Sequence, residues 1–479
     1  MQPVLANEPR SGDERAWWVA SVLAAALGYY SWVTSSVVVP GPKERFPFEG
    51  LLAFWRDPTG SLVRVAGRYG DVSRFRFGLY DEYLLVHPEH VQRVLVGEHQ
   101  SFTKGRALAE AKRILGEGLL TSEGEWHRRQ RRLMQPLFVH GRIGAYGGQM
   151  VDAAERAAAR WRGGRQCDVH GEMSRLTLSI VGRTLFDADV EAEATEIGRA
   201  LTESIEMLNR FMLPFSGLWE RLPTATARRL RRARARLDAT IYALIAERRA
   251  SGVDRGDLLS LLLRARDEED RSVRMSDEQV RDEAMTIFLA GHETTAVALT
   301  WTWYLLARNP GVETRLHEEL ARELGDRSPT VADLARLPYT ERILAESMRL
   351  FPPAWVIGRR ARVDVDLDGY RIPAGAIVIL SPFVTHRDAR WYPEPLRFDP
   401  DRFTPEARSL RPRYAYFPFG GGPRVCIGEG FAWMEARLLL ATLAQRVRFR
   451  LAPDQGVGLH PRVTLRPRGG LPMTVIRRH

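Results

Sequence analysis

Phe419-Gly420-Gly421-Gly422-Pro423-Arg424-Val425-Cys426-Ile427-Gly428 is the most telling run in this chain. It gathers an aromatic ring, a glycine turn, an arginine and a cysteine into one short loop. Glycines free the backbone of Cβ groups, so it can come close to a flat ligand. Amide N–H groups exposed by such a turn hydrogen-bond a metal-bound sulfur and tune the metal. The following residues, Glu429 to Gln445, have helical periodicity. Cys426 therefore lies at a helix N-terminus, where the dipole favours a thiolate. Arg424 can donate to a carboxylate of the same ligand. These are the requirements of a haem held by cysteine. The alternative is a glycine turn before a core helix, with Cys426 buried and inert.

Composition narrows the field. At 479 residues and 44% hydrophobic content, the chain can bury a large core in one big domain or two to three average ones. Its two cysteines, Cys167 and Cys426, are far apart. That excludes a disulfide scaffold or a structural zinc site built on cysteine pairs, and suits a reducing, cytoplasmic setting. The net charge of +11 is almost all arginine, with Lys43, Lys104 and Lys112 the only lysines. Such a charge suits acidic partners or an anionic surface. With no nucleic-acid motif beside it, it does not indicate nucleic acid.

Ala16 to Val39 carries no charge and ends at Pro40-Gly41-Pro42. It is long enough to cross a bilayer, though serines, threonines and tyrosines interrupt it. Asp13 and Glu14 before it argue against a secretory signal. It reads as a membrane anchor, an interfacial helix or a poorly ordered extension. The expected division is an extension over residues 1–42, with a candidate anchor helix at 16–39, and one haem domain over 43–479. Arg228, Arg229, Arg231, Arg232, Arg234 and Arg236 would favour anionic lipid near such an anchor; a solvated helix face is the alternative. Strand patterns occur at Val72–Phe77, Tyr83–Val86 and Val363–Leu380, with turns at Asp368-Gly369 and Pro373-Ala374-Gly375. Helical patterns fill Gly124 to Leu350. The tail from Val463 to Ile476 reads as a hairpin around Gly469-Gly470. The expected fold is mainly α with small peripheral β-sheets.

The longest predicted helix starts at Ser276, which forms a capping box with Gln279, and stops at Asn309-Pro310. It would be about 50 Å long, enough to cross a domain. Its middle reads Ala290-Gly291-His292-Glu293-Thr294-Thr295. Threonine there can bond the preceding turn's carbonyl and open a notch. Glu293 and Thr294 would form an acid–alcohol pair for moving protons. A helix–helix contact through small residues is the alternative. Elsewhere, Glu346 and Arg349 share a helix face at i, i+3.

The cysteine run resembles the pattern Phe-x-x-Gly-x-Arg-x-Cys-x-Gly of the cytochrome P-450 superfamily at every fixed position. The Ala-Gly-His-Glu-Thr-Thr segment is similar to its oxygen-activating helix, and the likeness extends from Pro40 to the C-terminus. The resemblance implies the family's fold, with the long helix over haem b (iron protoporphyrin IX), Cys426 as iron ligand and Phe419 beside the ring. It implies that Arg402, in Pro400-Asp401-Arg402-Phe403, joins Glu346 and Arg349 in a structural network. Family members often carry Trp-x-x-x-Arg in the helix that reaches the haem propionates. Here Gln130 stands four residues after Trp126, so His127 and Arg131 are the expected propionate contacts, together with Arg424 and Arg359. Substrate contacts are expected at Phe102, Phe211, Ile287, Ala290, Trp355 and Val356.

The implied activity is a monooxygenase that puts one oxygen atom of O₂ into a C–H bond of a large hydrophobic molecule. Arg349-Leu350-Phe351-Pro352-Pro353-Ala354-Trp355 resembles bacterial fatty-acid and carotenoid hydroxylases; terpenoids and steroid-like molecules fit the same description. The chain shows no flavin or nucleotide module, so electrons would come from a separate ferredoxin or flavodoxin with its reductase. A peroxide-driven peroxygenase and a haem-based gas sensor or carrier are the competing readings.

Overall fold

The computed structural model describes residues 38–45, 49–78, 80–186, 225–267, 272, 274–453 and 455–478. Residues 16–37 of the candidate anchor lie outside these, as does Phe211. Among the described residues no helix is long and apolar enough to cross a membrane.

The helices of ten residues or more are α1 (Pro58–Tyr69), α2 (Arg106–Leu115), α3 (Gly124–Met134), α4 (Gly147–Arg160), α5 (Val169–Phe186), α6 (Ala225–Ser251), α7 (Asp277–Arg308), α8 (Pro310–Leu324), α9 (Pro338–Leu350) and α10 (Glu429–Arg446). The 32-residue α7 is the axis of the molecule. Both halves of its predicted capping box form: the Gln279 N–H donates to Ser276 Oγ at 3.2 Å and the Ser276 N–H to Gln279 Oε1 at 2.7 Å. It ends at Asn309, and Pro310 opens α8. The C-terminal half of α7 sits in the largest apolar cluster with α4, α5, α8, α9 and α10, where Trp303 is buried. Its N-terminal half packs in a second cluster against α2, α3 and α6.

Short strands flank this body. A five-stranded sheet has the order β1 (Val72–Phe77), β2 (Tyr80–Leu85), β8 (Ile377–Leu380), β5 (Ile357–Ala361), β3 (Phe102–Lys104), and only the β2–β8 pair is parallel. β6 (Val365–Leu367) and β7 (Tyr370–Ile372) form a hairpin across the turn predicted at Asp368-Gly369. Both turn residues have positive φ, 54° and 86°, as a two-residue turn of this kind requires.

The tail departs from expectation. β11 (Leu465–Pro467) pairs with β10 (Leu459–Pro461), whereas β12 (Pro472–Arg477) lies between β4 (Gln166–Asp168) and β9 (Val447–Arg450). Gly469 and Gly470, with φ of 78° and 84°, turn the chain from one sheet into another and do not close a hairpin. Asp168 holds the turn by accepting from the Leu471 N–H at 2.7 Å. A Cβ on Gly470 would fall 2.8 Å from that carboxylate.

Candidate active site

A cavity of about 610 Å³ lies between α7, the five-stranded sheet and the loop that carries Cys426. Ile287, Ala290, Gly291, Thr294, Thr295 and Ala298 of α7 line it. Their spacing traces one helical face. Thr294 Oγ1 donates to the Ala290 carbonyl at 2.7 Å, the back-bond its position predicted. Trp355 and Val356 also line the cavity, and Trp355 is held by its indole N–H donating to the Arg462 carbonyl at 2.8 Å.

Two expectations need correction. Phe102 does not reach the cavity: it is buried beside the five-stranded sheet in the cluster with Val72, Leu85 and Val378. The Glu293 carboxylate is not on the cavity wall either. One residue along a helix is a turn of about 100°, and Glu293 points at the C-terminal sheet. There its Oε1 accepts from Thr464 Oγ1 at 2.6 Å and from the Arg466 guanidinium. Burial pushes the Glu293 carboxyl up, but Arg466, His292 and Thr464 together outweigh it and hold its pKa below the ordinary value. The acid and the alcohol are chain neighbours without forming a side-by-side pair.

Cys426 presents its thiol to the cavity from a loop that only glycine could make. Gly420 and Gly422 have φ of 76° and 66°. A Cβ on Gly421 would lie 2.6 Å from the Tyr414 ring, and one on Gly422 would run into the Leu95 carbonyl. The Cys426 N–H donates to the Phe419 carbonyl at 3.0 Å, closing the turn two residues before the α10 cap, Gly428. The thiol is accessible, yet only to a protein-walled space, and burial raises its pKa while the Gly428 N–H and Arg131 oppose the rise. Phe419 lines the same space with its ring 5.9 Å from that of Trp433.

Basic groups crowd one part of the wall: Lys104, His127, Arg131, Arg359 and Arg424 all border the cavity. Burial, and then Lys104, Arg424, Arg131 and Arg359, push His127 down to about 3. Burial pushes Arg359 down to about 10, aided by Arg424 and opposed by Glu123. The Arg359 guanidinium donates to the Gly358 carbonyl at 3.0 Å and has no carboxylate partner among the described residues. Arg131 donates to the Val425 carbonyl at 2.7 Å, inside the cysteine loop. Arg424 pairs with Glu123. Several basic groups on one wall with one acid among them leave positive charge for a dianionic ligand to meet. Two propionates beside an accessible thiol satisfy both needs, so the residues fit a haem.

Sequence reading missed Lys104, Glu123, Asp282 and Glu283. Lys104 Nζ donates to the Leu119 and Ser122 carbonyls at 2.8 and 2.6 Å, while its own N–H donates to Glu123. The Leu119 N–H donates to Glu283 at 3.0 Å and the Glu117 N–H to Asp282 at 2.6 Å. This fastens the loop carrying Leu119 and Leu120, both on the cavity wall, at its two edges. A lysine and acids whose loop contacts are to backbone groups leave no sequence pattern behind them.

Away from the cavity, Glu346 and Arg349 are fully buried. Arg349 Nε and Nη2 donate to Glu346 at 2.6 and 2.7 Å, and Arg402 Nε lies 3.5 Å from Glu346. Arg349 also donates to the His386, Pro395 and Arg397 carbonyls, tying the segment before the cysteine loop to α9.

A cysteine facing the cavity, basic groups gathered on one wall and a long helix across the pocket are what a haem-thiolate oxygenase requires. The Cytochrome P450 family pattern matches residues 40–470, and the chain belongs to that family. It is 44% identical over 431 residues to cyclooctatin synthase of Streptomyces melanosporofaciens, covering 89% of this chain and 93% of the relative. To pentalenene oxygenase of Streptomyces avermitilis it is 39% identical, covering 81% and 86%. The crystal structure of the cytochrome P450DA heme domain superposes with a TM-score of 0.84 at 28% identity, over 93% of this chain and 98% of that one. The protein is a cytochrome P450 monooxygenase with haem b as cofactor, acting on a hydrophobic substrate with electrons from redox partner proteins.

Proposed function

We propose that this enzyme hydroxylates a cyclic terpenoid, with electrons drawn from a ferredoxin or flavodoxin and its reductase. The observation that carries the reading is the shape of the α7 wall. Ala290, Gly291 and Ala298 are small and flank Thr294, leaving width for a fused-ring skeleton. Relatives named cyclooctatin synthase, cyclooctat-9-en-7-ol 5-monooxygenase and pentalenene oxygenase support it.

The bound haem supplies oxygen activation. Cys426 would hold it from one loop, and Arg131, Arg359, Arg424, His127 and Lys104 would meet its propionates. Apolar side chains of α7 and the Leu119–Leu120 loop exclude water and position the substrate. The Thr294 hydroxyl, released from its bond to the Ala290 carbonyl, would turn to donate a hydrogen bond at the oxygen site, with solvent supplying the proton consumed there. Glu293 acts as a positioning residue that fixes the rotation of α7 through Arg466.

Purified holoenzyme titrated with cyclic terpenoids, steroids, carotenoids and fatty acids tests the reading. Cyclic terpenoids should displace the axial water and, with a ferredoxin couple and labelled O₂, yield a product carrying the label. Response confined to straight-chain fatty acids, or turnover with peroxide alone, would overturn it.

A further inference from the structure

Glu82 is an acid on an apolar wall. It stands on β2 directly between Phe75 of β1 and Ile377 of β8. Both neighbours line the cavity, as do Phe77, Tyr80 and Ile379 of the same sheet. A strand position that faces an apolar cavity favours Val, Ile or Phe; a carboxyl there is stripped of part of its hydration. Nothing compensates it: no hydrogen bond or ion pair joins Glu82 to a described residue, and Arg106 acts on it only through space. The Arg106 guanidinium is instead placed over the Tyr80 ring, 4.6 Å from its centre. Sites where a chain breaks its own packing rules without internal compensation are functional sites.

We propose that Glu82 is a specificity residue that hydrogen-bonds a hydroxyl group on the substrate, remote from the C–H bond that is oxidised. Burial pushes the Glu82 carboxyl up to about 8 against the pull of Arg106. At neutral pH it therefore holds its proton and offers one donor and an acceptor, the complement of an alcohol. An ammonium would call for a carboxylate, and a substrate carboxylate would stand beside a second acid. The preferred substrate is thus a terpenoid alcohol and not the parent hydrocarbon. The reaction that feeds this enzyme is one that installs a hydroxyl on the ring skeleton. This rests on the terpenoid reading above.

The test uses haem-loaded protein and follows axial-water displacement with a matched cyclic diterpene hydrocarbon, its monoalcohol and its carboxylic acid. Wild type should bind the alcohol about tenfold more tightly than the hydrocarbon, the worth of one hydrogen bond in an apolar site. Glu82→Leu should erase that preference while binding the hydrocarbon at least as well, which also shows that the variant is folded. Glu82→Gln should keep part of the preference. An unchanged ratio in Glu82→Leu, or tightest binding of the acid by wild type, overturns the assignment. Hydrocarbon binding without alcohol preference refutes Glu82 alone; binding of none of the three refutes the terpenoid reading with it.

Discussion

Replacing Arg466 by leucine isolates the ion pair that ties α7 to the C-terminal sheet. Glu293 is 4% exposed, and its carboxylate faces Arg466, Thr464 and, at 3.9 Å, His292. Arg466→Leu strands a buried carboxylate with a single hydroxyl donor and a neutral imidazole. Removing one partner of a buried pair costs about 3–5 kcal/mol, against a total stability of roughly 5–15 kcal/mol for a typical domain. The variant should therefore unfold at much lower urea, followed by circular dichroism and by loss of the haem Soret band. Pairing it with Glu293→Gln removes the stranded charge, so the double variant should regain about 2 kcal/mol or more of that loss. A single variant within about 1 kcal/mol of wild type, or strictly additive losses, would refute the view that Glu293 serves α7 through Arg466.

Cys426→His should lose the red-shifted Soret band of the reduced, carbon-monoxide-bound protein, while haem content is read separately by pyridine haemochrome. Thr294→Ala should leave substrate titration unchanged and divert electron-donor consumption from product to peroxide, measured as the product-to-donor ratio. Glu346→Ala strands Arg349 and should give mostly haem-free or aggregated protein, whereas an Arg402 substitution, acting at 3.5 Å, should cost less; haem-to-protein ratios rank them. Burial pushes Glu283 up to about 8, with Leu119 and Lys104 opposing. Its folded pKa exceeds the unfolded value of about 4.3, so its stabilisation is full below that value and is lost as pH rises through about 8. Unfolding midpoints should fall between pH 5 and 8, and Glu283→Gln should flatten the trend.

Local rules carried the sequence reading wherever the structure is local. Ser276 and Gln279 announce α7 because a capping box needs only four residues, and Asn309-Pro310 announces its end. The cysteine loop was readable because the glycines that permit it are adjacent in the chain. The Gly469-Gly470 turn was visible too, but it sends β11 back to β10 and β12 to β9 and to the distant β4, partners that no turn encodes. Glu293 illustrates a signal that was present and not used: Ile287, Ala290, Thr294 and Ala298 define one face by their spacing, and that face excludes position 293. Phe102 shows the reverse case, since an aromatic residue on a short strand looks the same whether it lines a cavity or closes a core. Lys104 left no trace at all, because its partners are carbonyl oxygens, which every residue has.

The placement of β12 between β4 and β9 has a kinetic side. Its register joins Met473 to Cys167, and the segment before the Gly469-Gly470 turn reaches back 171 positions from Thr464 to Glu293. Contacts between such distant segments form only after most of the intervening chain has been gathered, and their loop-closure cost slows folding. Helices α4 and α5 are neighbours in the chain and can collapse on one another early, whereas the contact that fixes Glu293 waits for the Arg466 strand. The oxygen-handling face of the pocket is therefore among the last parts of the protein to be completed, and a chain captured before that step would hold most of its helices without a finished active site.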